Sequence, residues 1–131
     1  YALEGDALAV SFRVEGAVPP SMISTEINLA MPSCDGFGGR YVLADGTVPG
    51  GFGGELRLKA ASRLTLDDSE LHGALRIETS HPVAIEGRPH RTVSQSEAGF
   101  EKIMQALCLE LSWSPAAAPE MRILLRVVPA S

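Results

Sequence analysis

Residues 35–54 read DGFGGRYVLADGTVPGGFGG, and the string GFGG stands in them twice, at Gly36–Gly39 and at Gly51–Gly54. A phosphate cradle sets such glycines between a strand and a helix N-terminus, where backbone donors and the helix dipole meet the anion. Here each copy leads into a strand-like run, RYVL at 40–43 and ELRL at 55–58, and no Lys-Ser/Thr follows. The glycines therefore read as loop and turn residues of a β-protein. Phe37 and Phe52 inside them either cap the ends of a core or form an exposed apolar surface.

Outward from this stretch the dominant period is two, the mark of half-buried strands. Leu8, Val10, Phe12 and Val14 alternate with small or charged residues, and GAVPPS then forces a turn. Ile23, Thr25, Ile27, Leu29 and Met31 form one face of a second strand. Leu56, Leu58 and Ala60 alternate before a turn at DDSE, 67–70, whose Asp and Ser side chains suit local backbone bonding. Leu71, Gly73, Leu75, Ile77 and Thr79 share a face, HPVAIEG is a further short strand, and Ile123, Leu125 and Val127 point inward near the end. Short strands with turn signals between them predict a compact antiparallel β-sandwich. Nothing repeats as strand–helix–strand, which argues against a nucleotide-binding α/β sheet.

One segment departs from period two. In SQSEAGFEKIMQALC the residues Phe100, Ile103, Met104 and Leu107 recur at helical spacing, and Ser94 with Glu97 forms a capping box. This predicts one short α-helix at about 96–106. ALCLELSW then reads as a strand at about 107–113, with Leu107, Leu109, Leu111 and Trp113 on one face.

The chain has 131 residues, 45% of them hydrophobic, enough for a single domain over 1–131 with its own core. No apolar run is long enough to span a bilayer. A net charge of −5 with scattered cations argues against a nucleic-acid partner. The first residue is Tyr1 rather than Met, so an upstream segment is expected to be missing.

Chemistry-bearing residues are sparse. Cys34 and Cys108 are compatible with one disulfide or with two buried thiols. His72, His81 and His90 lack ligand spacing, so no metal site and no cofactor are expected. No G-x-S-x-G marks a nucleophile. Asp67 and Asp68 are adjacent on a turn, where paired carboxylates seldom face one pocket, and a solvated turn is the expectation. No catalytic residue is named, and an enzyme is not expected. The stripe Phe100, Ile103, Met104, Leu107 packs on the sheet or lines a partner-binding groove.

The order Val18, Pro19, Pro20 followed by Ile23, Thr25, Ile27, and later Arg76, Ile77, Glu78 followed by Pro82, Val83, resembles the YscW/YbaY family of bacterial outer-membrane lipoproteins. The resemblance covers roughly 7–87 and 121–128, and it leaves 32–53 and 88–120 as additions. It implies a β-sandwich pilot protein of type III secretion that binds the C-terminal tail of a secretin subunit and assists its ring assembly. It also implies a lipid anchor upstream of Tyr1 and a place on the periplasmic face of the outer membrane. A bridge between Cys34 and Cys108 would tie the two additions together. The alternatives are a YbaY-like envelope lipoprotein, a sandwich module for a small apolar ligand, and a hydrolase on the same scaffold.

Overall fold

The computed structural model of the chain describes residues 1–17, 21–33 and 38–130. Among these residues there are nine strands: β1 (Ala2–Glu4), β2 (Ala7–Arg13), β3 (Ile23–Leu29), β4 (Gly39–Leu43), β5 (Gly50–Gly51), β6 (Leu56–Asp68), β7 (Gly73–Ser96), β8 (Gly99–Trp113) and β9 (Glu120–Pro129). Every pairing between them is antiparallel.

The two layers of the sandwich share one hairpin. In the first layer the strand order is β1-β2-β9-β7-β6-β4-β5, while β3 and β8 extend β7 in the second. β7 makes both connections. Its residues Gly73–Thr79 pair with β9, and its residues from Ala84 onward pair with β8. Pro82, which cannot donate to a ladder, falls in the gap between the two pairings. β6 bends at the same level, with register shifts between Leu58 and Ala61 and between Ala61 and Arg63. Such bulges are how a strand turns the corner from one sheet to the next. Two segments that read as separate short strands, LHGALRIETS and HPVAIEG, are thus one continuous strand.

The core lies between the layers. Leu107, Leu109 and Leu111 are 0% exposed, and Trp113 meets Phe12 of the other layer edge-on at 5.3 Å between ring centroids. Opposite them stand Leu64, Leu66, Ile77, Met121 and Ile123. Ile23, Ile27 and Leu29 pack against this cluster from the edge strand β3, on the face that period two predicts. The bulge in β6 changes the phase of alternation: Leu56 is buried, but Ala60 is exposed and Ala61 turns inward instead.

The helix expected at about 96–106 is absent: β7 and β8 run through this segment as a ladder, from Arg91↔Met104 to Ser96↔Gly99. Gly99 takes φ +118, a conformation that glycine reaches without a Cβ penalty, and the hairpin closes over Glu97 and Ala98. The capping box is not used, because Ser94 faces Glu101 across the ladder. Helical spacing is local, whereas the pairing of β8 with β7 satisfies the backbone along the whole strand, and here the pairing wins.

Candidate functional site

Three surfaces carry polar or apolar groups beyond the needs of the core. The first is a cleft of about 850 Å³ at the corner where β6 is irregular, lined by Asp45, Leu58, Arg63, Glu78, Ser80 and Arg122 among others. Its acids are engaged. Arg63 Nε donates to Glu78 at 3.1 Å, and Asp45 accepts from the Thr47 N–H at 2.9 Å. That backbone bond holds the Asp45 carboxyl below its ordinary pKa.

The second is a row of glutamates on the outer side of the second layer. Glu26, Glu110 and Glu86 stand opposite one another in register across β3, β8 and β7. Arg88 bridges the first two, at 3.2 Å from Glu26 and 3.9 Å from Glu110. The Asn28 side-chain amide, then the Cys108 thiol and Arg88, keep the Glu26 carboxyl below its usual value. A general acid needs the opposite shift, so Glu26 is unsuited to that role. Cys108 lies beside this row on the same face, in register with Asn28 and Arg88, buried and with a free thiol; burial, reinforced by Glu26, pushes its pKa up. Its proposed partner Cys34 lies outside the described residues, as do Val18, Pro19, Pro20 and Phe37.

The third is the outer end of the β7–β8 hairpin. Among the described residues neither strand has a third neighbour beyond His90 and Ala106, and every residue from 91 to 105 is exposed except the half-buried Met104. Of the four residues read as one stripe, Phe100, Ile103 and Met104 stand on this arm, while Leu107 is sealed in the core. Strand geometry also separates the first three: Phe100 and Met104 share one face of the ribbon, and Ile103 takes the other.

The remaining residues singled out in the sequence have structural duties. Asp67 and Asp68 alternate across β6 and face opposite ways. Asp67 accepts two bonds from Arg40, at 2.9 and 2.8 Å. Asp68 is fully buried and accepts from Ser33 N at 3.0 Å, Ser33 Oγ at 2.5 Å, Glu70 N at 3.0 Å and Leu71 N at 3.2 Å. The expected solvated turn is therefore a buried anchor that ties the 31–33 segment to the 69–72 turn. His72 sits in that turn at φ +51, His81 lies 3.1 Å from Ser80 Oγ, and His90 is exposed at the root of the arm. No group of three or more metal-ligating side chains gathers among the described residues.

This strand arrangement and the spent carboxylates frame what the chain is similar to. A family model described as alpha-amylase/4-alpha-glucanotransferase, C-terminal, matches residues 1–127. The chain belongs to that family. Among solved structures, 4-alpha-glucanotransferase from Thermococcus litoralis matches with a TM-score of 0.52 and 22% identity. The match covers 82% of this chain and 14% of that one, so the chain spans a small part of that protein. At that identity the likeness concerns the fold. No curated protein sequence matches the chain.

The family match overturns the resemblance to YscW/YbaY lipoproteins. With it go the secretion pilot, the secretin tail as partner, the lipid anchor, the periplasmic face of the outer membrane, and the envelope-lipoprotein and apolar-ligand alternatives. The physical reason lies in what carried the resemblance. A turn followed by an alternating strand is common to many antiparallel sandwiches and specifies no partner. The segments set aside as additions, 32–53 and 88–120, fall within the matched range and supply β4, β5, the arm and the whole of β8.

Proposed function

We propose that this chain is one β-domain of an α-glucan-processing enzyme of the amylase or 4-α-glucanotransferase kind, and that it serves there without catalysing the reaction itself. The family match over residues 1–127 carries this reading. The 14% share of the solved glucanotransferase fits a domain joined to a much larger catalytic body. The state of the acids supports the non-catalytic part. Glycosyl transfer takes a nucleophilic carboxylate and a nearby carboxyl kept protonated. Asp67 and Asp68 are each tied to local donors on opposite faces, Glu78 is tied to Arg63, and Glu26 is held ionised.

The test uses the whole polypeptide that contains this chain, incubated with maltooligosaccharides and followed by chromatography of the products. Redistribution or hydrolysis of the sugars by the whole polypeptide, with none by residues 1–131 alone, is expected. A whole polypeptide that leaves the sugars unchanged overturns the enzyme assignment. Turnover by residues 1–131 alone overturns the non-catalytic role.

A further inference from the structure

The arm is the part of the fold whose existence the chain's own packing does not explain. Among the described residues Arg91–Ser96 pairs with Gly99–Met104 alone. β3, the other neighbour of β8, ends its ladder at Leu29↔Leu107, and β6, the other neighbour of β7, ends at Leu56↔Gly87. A lone two-stranded ribbon in water is marginally stable, because neither face is covered to offset the ordering of its backbone. Among the described residues its braces lie at the root: Arg91 Nη2 donates to the Gly53 carbonyl at 3.0 Å, and Met104 packs in part against the core, while Val93 and Phe100 farther out stay exposed.

The two faces of the ribbon differ. One carries Arg91 with Met104, Val93 with Lys102 and Gln95 with Phe100. Diagonal neighbours on a ladder lie about 7–8 Å apart, so Met104, Val93 and Phe100 form one apolar stripe. Val93 is 64% exposed and Phe100 77%. Arg91 and Lys102 flank that stripe on the same face. The other face holds Ile103 among Thr92, Ser94 and Glu101.

We infer that the arm is the clamp by which this β-domain seats on the catalytic body of its own polypeptide, with the Met104–Val93–Phe100 stripe on an apolar patch and Arg91 and Lys102 on an acidic rim. The inference rests on the enzyme-domain reading above. The solved glucanotransferase devotes 14% of its chain to the matched part, so most of that polypeptide lies outside a domain of this kind and is available to receive it. Charge selects this occupant over a second copy. A symmetric contact through the stripe would gather Arg91 and Lys102 of both copies in one interface with no carboxylate on that face to offset them, and like charges brought together are costly. A sugar is also a poor occupant: Phe100 is the single aromatic side chain of the arm, and no carboxylate stands on its face to accept from hydroxyls.

The test is hydrogen exchange read by mass spectrometry on the whole polypeptide. In the wild type, amides of 91–105 should exchange at least about tenfold more slowly than in the variant Val93→Asp/Phe100→Asp. In the variant, exchange should also rise at one patch outside residues 1–131, while peptides of β2 and β9 keep their protection. Phe100→Ser alone repeats the comparison if the double variant misfolds. Arm amides that exchange at unprotected rates in the wild type overturn the proposal. So does protection that grows with protein concentration, which assigns the arm to a second copy, and so does protection that needs added maltooligosaccharide, which assigns it to a sugar. Sugar turnover measured on the same sample separates the two claims: its absence removes the enzyme reading and leaves the exchange result standing.

Discussion

A Cβ placed on Gly39 would lie 2.0 Å from the Phe52 ring. The last residue of the first GFGG thus packs on the phenylalanine of the second. Phe52 N–H also donates to the Gly39 carbonyl at 3.2 Å, and β4 pairs with β5 through Arg40↔Gly51. Phe52 is fully buried and meets Tyr41 edge-on at 5.3 Å. The repeat serves close packing at one end of the core, since only a residue without a side chain lets the ring lie against β4. Gly39→Ala should destabilise the chain by about 1–3 kcal/mol, the range for overpacked cores. Phe52→Ala should cost about 3–5 kcal/mol. Urea unfolding of both and of the double variant should give less than the sum of the two, because removing the ring relieves the clash.

Asp68 predicts a response to acid. Burial disfavours its charge, but the bonds from Ser33, Leu71 and Glu70 outweigh that and hold its carboxyl below the ordinary value. A carboxyl lowered in the folded state contributes stability above the unfolded pKa of about 4, and loses it as pH falls further through the folded value. Asp68→Asn keeps the shape but weakens four acceptor bonds to charged oxygen, at a cost of about 2–3 kcal/mol near pH 7. Stability measured from pH 7 to pH 2 should therefore fall less steeply below pH 4 in the variant than in the wild type. Parallel curves would show that Asp68 is not the group that senses acid.

Leu107 and Phe100 show where the sequence is legible and where it is not. The alternation Leu107, Leu109, Leu111, Trp113 is a local record of one buried face, and the strand follows from it directly. Phe100, Ile103 and Met104 fit a helical stripe as well as they fit a strand, and the deciding partner is the 91–96 segment across the hairpin. Pro82 gave a false break, because its missing donor falls where β7 changes neighbours. The anchor between Ser33 and Asp68 joins residues 35 positions apart, beyond any local pattern. The family left no metal or nucleophile motif, so generic strand and turn spacing pointed to the wrong relatives. In the isolated chain, Leu107→Ala should cost about 2–5 kcal/mol by leaving a cavity. Phe100→Ser should change stability by less than about 0.5 kcal/mol, as exposed substitutions do. Equal losses in thermal or urea unfolding would place Phe100 in the core of this chain and remove the basis for a docking arm.

Arg76 stands directly opposite Arg126 where β7 pairs with β9. Like charges facing each other across a ladder are destabilising. Arg126 has Asp6 at 3.2 Å, but among the described residues no acid pairs with Arg76, and its Nε is buried without a hydrogen-bond partner. A buried unmet donor costs free energy, so an apolar side chain of similar length should do no harm at this position. Arg76→Met is expected to leave stability unchanged or raise it by up to about 1 kcal/mol in urea unfolding. The gain should shrink as salt is added, because screening already relieves the repulsion between the two guanidinium groups. A loss above about 1 kcal/mol would mean that Arg76 carries a favourable contact in solution that outweighs the repulsion from Arg126.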